Sequence, residues 1–114
     1  MKAAHAGLLN KRITIQRRAS VVNAYNEEVE QFITVGSVWA NRRDVSASER
    51  YRAAEVGAEV STRFLVRKSR LADGLRPYDR IRFGDLSYNV VGIRAADGPG
   101  AWTEIDCVAR ADDP

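Results

Sequence analysis

The chain reads as mainly β: a small β-barrel of about six strands, with one short α-helix inserted between the second and third strands. Three observations lead there. Short segments of alternating apolar and polar residues recur along the 114 residues, and such alternation marks a strand with one buried face. Turn residues punctuate them at close spacing, at Asn23 to Asn26, Asp73-Gly74, Gly84-Asp85 and Asp97-Gly98-Pro99-Gly100. Helical periodicity is convincing only once, too little for βαβ units. Many short, closely spaced strands make a small barrel or a sandwich, and closure into a barrel also removes exposed edges.

The first strand covers about Lys11 to Arg17, with Ile13 and Ile15 on one face. The polar stretch from Ser20 to Glu28 is a long hairpin loop, since Asn23 and Asn26 tolerate turn geometry, although it lacks a glycine. The second strand begins near Glu28, with Val29, Ile33 and Val35 in one phase. At Gly36 the phase switches to Val38 and Ala40, and a glycine at a change of parity predicts a bulge or bend.

The helix follows. Ser46-Ala47-Ser48-Glu49 fits a capping box, in which a serine oxygen takes one free amide and Glu49 reaches back to another. Ala47, Tyr51, Ala54 and Ala58 form a thin apolar stripe at helical spacing, and Gly57 suits the position just past the end. One tyrosine and three alanines bury little area, so this helix gains from packing on something outside its own domain.

The third strand is about Val60 to Lys68, with Val60, Thr62, Phe64 and Val66 inward and Ser61, Arg63 and Arg67 outward. A loop from Ser69 to Asp79 leads to the hairpin Arg80 to Val91 around Gly84-Asp85, where a glycine suits the first central position. After the loop Ala95 to Ala101, the last strand runs from about Trp102 to Arg110, with Thr103, Ile105 and Cys107 in phase.

At 114 residues the chain is one domain, 1–114, with flexible ends at 1–8 and 111–114 and a helix-bearing insertion at 41–59. A chain of this size can bury a self-sufficient core. There is no apolar run long enough for a membrane helix, and the N-terminus lacks the apolar core of a signal peptide, so synthesis in the cytoplasm with no membrane partner is expected. Cys107, the single cysteine, is expected to be a small buried thiol.

Catalytic signatures are lacking. One histidine and one cysteine exclude most metal sites built from those ligands, no phosphate-binding glycine loop is present, and Glu27-Glu28 and Asp112-Asp113 fall in a loop and a tail. No enzyme activity, metal or cofactor is expected. The net charge is +3, and fifteen of the eighteen cations are arginine. A GC-rich coding genome explains that bias, and so does phosphate or carboxylate contact by forked guanidiniums. Arg63 and Arg67, with Arg80 and Arg82, make a basic patch if their strands are neighbours, and otherwise a solvated outer face. Without a helix-turn-helix or zinc finger, any nucleic-acid contact is to backbone phosphates, and so salt-sensitive and sequence-blind. Among the aromatics, Tyr88, Phe64 and Phe83 suit a core, whereas Trp39 and Tyr51 flank the charged 41–59 segment and are candidate interface anchors.

The order of these features resembles the head–tail joining, or head-closure (stopper), proteins of tailed phages, prophages and gene transfer agents. The resemblance runs from Leu9-Asn10-Lys11-Arg12-Ile13 through Val35 to Ala40 with Trp39, the helix start Ser48-Glu49-Arg50-Tyr51, the Val60 to Arg67 strand, Arg80-Ile81-Arg82-Phe83-Gly84 with Tyr88-Asn89-Val90, and Ile105-Asp106-Cys107. It implies a ring of six or twelve copies in the particle neck, assembled in the bacterial cytoplasm. That ring retains packaged double-stranded DNA by non-specific backbone contact and joins a portal adaptor to a tail terminator or tail tube protein. The segment after Trp39 would reach toward the channel or a neighbouring subunit, with Arg42, Arg43, Arg50 and Arg52 as candidate contacts to phosphate or to inter-subunit carboxylates. The alternatives are an OB-like module binding nucleic acid without sequence preference, and another neck component such as a tail terminator.

Overall fold

The computed structural model describes residues 9–57, 59–95 and 102–110. Six strands and two short helices follow in the order β1 (Lys11–Val22), β2 (Glu28–Asp44), α1 (Ala47–Glu55), β3 (Thr62–Arg67), α2 (Arg70–Asp73), β4 (Arg80–Phe83), β5 (Leu86–Ala95) and β6 (Trp102–Arg110). Every strand pairing is antiparallel, and the sheet closes into a barrel in the order β1-β2-β3-β6-β5-β4.

The alternating residues fill the barrel. Ile13 and Ile15 from β1, Ala40 from β2, Phe64 and Val66 from β3, Ile81 from β4, Tyr88 and Val90 from β5, and Ile105 and Cys107 from β6 form one buried cluster. The rings of Phe64 and Tyr88 meet edge to face with centroids 5.1 Å apart, a favoured aromatic geometry. Cys107 is fully buried, and desolvation, with a smaller push from the Asp106 charge, raises its thiol well above the ordinary range, so it is inert packing material.

The parity change at Gly36 is a bulge. Ile15 pairs with Gly36 and Gln16 with Thr34, leaving Val35 without a partner on β1. Gly36 also admits a close neighbour: a Cβ there would stand 3.1 Å from a methyl of Leu71. Leu71 belongs to α2, which forms where the sequence predicted only a loop. Ser69 Oγ caps it by accepting from the Ala72 amide at 3.1 Å, and Ala72 and Leu75 join the core while Leu71 packs against it. At the β4–β5 turn Gly84 has φ +60°, as its place in the tight hairpin requires.

β1 and β2 run further than the sequence suggested. β4 pairs with β1 only at Thr14 to Gln16, and β3 pairs with β2 only from Ala40 onward. Residues 17–33 therefore form a two-stranded ribbon with no third strand on either edge. Its turn needs no glycine because Asn26 takes φ +62°, while Asn23 Oδ1 accepts from the amides of Tyr25 at 2.9 Å and Glu27 at 3.0 Å. At the base of the ribbon, Arg17 forks onto Asp79 with two contacts of 2.9 Å and donates to the Gly74 carbonyl at 2.8 Å. Asp79 is 2% exposed, so the ribbon is tied down by a nearly buried charge pair.

Candidate interaction surface

β2 ends at Asp44, and Val45 turns inward to buried packing, its amide donating to the Ser61 carbonyl at 3.1 Å. Ser46 then caps α1, its Oγ accepting from the Glu49 amide at 3.2 Å, as the capping pattern predicts, whereas the Glu49 carboxylate goes to Arg63 and not back to the cap. Gly57 has φ +75° just beyond the helix end, where glycine is favoured. The helix faces the opposite way from the usual amphipathic arrangement. Glu49 and Ala53 are the half-buried positions, while Ala47, Tyr51 and Ala54 are exposed, and no residue of α1 is buried. Tyr51 is 72% exposed. The apolar stripe thus points away from the barrel; Ala58 lies outside the described residues.

What holds α1 is charge. Arg63 on β3 hydrogen-bonds the Glu49 carboxylate and reaches Asp106 on β6 at 2.6 Å and Glu104 at 3.7 Å. Arg94 on β5 completes the network, touching Glu104 at 3.0 Å and Asp106 at 2.5 Å. These contacts follow from strand register, since Arg63 pairs with Asp106 and Arg94 with Glu104 on the outer face. The hydrogen bond from Arg63 holds the Glu49 carboxyl below the usual glutamate range, outweighing its partial desolvation. The same bond, with Asp106, raises Arg63 still further above its already high value.

The expected basic patch is therefore not built. β3 and β4 are not neighbours in the barrel. Arg63 is neutralised as described, and Arg67 lies over Trp102 at 5.6 Å. Arg80 stacks on Phe32 at 3.8 Å and donates to Gln16 at 2.8 Å, and Arg82 donates to Ser87 at 2.9 Å.

The four predicted contact arginines separate into two pairs. Asn41 to Asp44 continue β2 and pair with β3, so the helix-bearing connection begins at Val45, later than the 41–59 span. Arg42 is a barrel residue: its Nε donates to the buried Tyr88 hydroxyl at 3.4 Å and its Nη2 meets Asp44 at 3.3 Å. Arg43 donates to Asn41 at 3.3 Å. Arg50 and Arg52 are exposed on α1, and neither side chain has a partner among the described residues. Of the two aromatic anchors, Tyr51 shares α1 with those free guanidiniums. Trp39 is 51% exposed on β2, with Arg12 5.2 Å from its ring centre, and lines a separate recess with Leu9, Val38, Arg67 and Lys68. The structure does not bring Trp39 and Tyr51 into one site.

α1 thus stands exposed with its apolar stripe outward, and comparison with known proteins gives the setting. The family model described as phage head completion protein matches residues 4–110. The chain belongs to that family. It is thus a structural component of the head of a phage or phage-like particle. The solution structure of protein SF1141 from Shigella flexneri 2a is similar over 96% of this chain and 100% of that one, with a TM-score of 0.73 and 23% identity. A chain from the virion of a native gene transfer agent particle is similar over 87% of this chain and 92% of that one, with a TM-score of 0.59 and 22% identity. At these identities the two likenesses show the barrel fold. No curated protein matches the chain. No described helix of this head completion protein is long and apolar enough to cross a membrane.

Sequence reasoning missed Arg94, Glu104 and Asp106, which fix α1, and Arg17 and Asp79, which fix the ribbon. The signal for the first set was the acidic pair Glu104 and Asp106 in the outward phase of a strand whose inward phase is Thr103, Ile105 and Cys107, opposite an arginine-bearing strand. The ribbon left no comparable signal.

Proposed function

We propose that this head completion protein is the ring-forming stopper of a particle neck. Several copies close the portal channel behind packaged double-stranded DNA and carry the docking surface for the tail. The role is structural, not catalytic. The observation that supports it is α1, an element that buries nothing of its own and offers Tyr51, Arg50 and Arg52 outward. In a ring, such an element meets the channel or the next subunit, where unpaired guanidiniums suit phosphate or carboxylate oxygens. A free OB-like module would need exposed aromatics on its sheet to stack bases. Here Phe64 and Tyr88 are core, and the exposed ring of Trp39 already has the Arg12 guanidinium 5.2 Å from its centre.

The experiment is a DNA-retention assay on filled heads. Heads lacking this protein should release DNA to added nuclease, and addition of the purified protein should protect it. Retention that is complete without the protein would overturn the proposal. Arg50→Ala with Arg52→Ala, at side chains without a partner among the described residues, should fold normally and weaken protection, more so at higher salt.

A further inference from the structure

The stopper reading requires contacts between copies, and a ring is built from heterologous contacts, in which one surface of a copy meets a different surface of the next. Two unpartnered surfaces of this chain fit one another.

The first is the ribbon tip. Val22 is 63% exposed and Tyr25 83% exposed, and Glu27 and Glu28 are exposed with no side-chain partner among the described residues. Of the tip's carboxylates only Glu30 has a cation near it, Arg18 at 3.8 Å. A two-stranded ribbon is marginal by itself, so 17–33 gains order from a partner. The second is a groove of about 520 Å³ beside the outward stripe of α1, lined by Ala47, Arg50, Tyr51 and Ala54 and floored by Val60 and Ser61. No residue of the ribbon lines it within one copy. Its rim is polar in a directional sense, with the free guanidinium of Arg50 on the helix side and the Glu59 carboxylate on the other.

We infer that the β1–β2 ribbon tip of one copy seats in the α1 groove of the next, with Val22 and Tyr25 against Ala47, Tyr51 and Ala54, and with Glu27 and Glu28 turned toward Arg50 and away from Glu59. The apolar contact supplies the affinity. The charges set the orientation. The contact is head to tail, so repetition closes a ring or grows a filament according to the rotation between copies. It explains two features that the barrel does not use: the long hairpin and the outward-facing helix stripe. This inference rests on the ring reading.

The test uses particles assembled with the full-length chain carrying Val22→Cys and Ala54→Cys, which leave Tyr25 and Tyr51 in place. The native Cys107 is buried, so it contributes no background. After oxidation and denaturation the double variant should run as a ladder of covalent multimers. Each single variant should stay monomeric, and particles built from a mixture of the two should give only dimers. Adding Glu27→Lys and Glu28→Lys should cut the cross-link yield at least tenfold, and Arg50→Glu in that background should restore much of it. Electron microscopy of the same particles keeps the two ideas apart. Rings without a ladder overturn the ribbon contact and leave the ring reading standing. Particles with neither ring nor ladder overturn both. Dimers of the Val22→Cys variant alone would mean a self-complementary contact and also overturn the inference.

Discussion

Arg63 carries more than any other side chain in this molecule. Its guanidinium joins the helix carboxylate Glu49 to the sheet carboxylates Glu104 and Asp106, and all of these are half-buried or deeper. Removing it leaves three acids with Arg94 as their nearby cation. Arg63→Ala should therefore lower stability by about 1.5–3 kcal/mol, the range for hydrogen bonds to charged partners, read as a shift of the urea midpoint at neutral pH. The Glu49 carboxyl is depressed in the fold by the Arg63 hydrogen bond. Its contribution is thus full above the ordinary glutamate range and lost as pH falls through the depressed value. Melting curves taken from about pH 5 down to about pH 3 should fall more steeply for the native chain than for Glu49→Gln. Parallel curves would remove Glu49 from the account. Tyr51 is the contrary case. It is exposed and touches no core, so Tyr51→Ala should change stability by less than about 0.5 kcal/mol while reducing assembly.

At the scale of elements, what was legible in the sequence was local. Ser46 announced the helix start, Gly57 its end, Gly36 the bulge and Gly84 the tight hairpin, because caps and turns are decided by a few adjacent residues. What was not legible was which strand lies beside which. The placement of β6 between β3 and β5 sets Arg63 against Asp106 rather than beside Arg80, and no residue spacing encodes that choice. The direction of the α1 stripe was hidden for the same reason: spacing shows that Ala47, Tyr51 and Ala54 share a face, but only the Arg63 contact shows which face turns inward. The ribbon was hidden by the bulge on β2, which changes the parity of that strand at Val35, and by the charged pair Arg17 and Arg18 in β1. Because α2 lies against Gly36 through Leu71, these two elements are energetically coupled. Gly36→Ala should cost about 1 kcal/mol by crowding Leu71, and its cost should shrink when Leu71→Ala is already present. Additive costs in a double-mutant cycle would show that the approach of α2 does not constrain the strand.

The described residues form a closed barrel around one apolar core, plus two elements that do not serve that core. Among the described residues the ribbon is a long stretch paired on one side only, and such an edge is where pairing with another chain is easiest. Membership of the head completion family ties this barrel to a phage head, and in the proposed ring α1 and the ribbon are the elements that meet the neighbouring copies. The most direct measurement is an electron-microscopy reconstruction of the assembled neck at a resolution that traces α1. The account predicts a ring in which each α1 lies against the next copy or lines the central channel, with Tyr51 covered. A reconstruction in which α1 sits on the outer rim, touching neither a neighbour nor DNA, would contradict it.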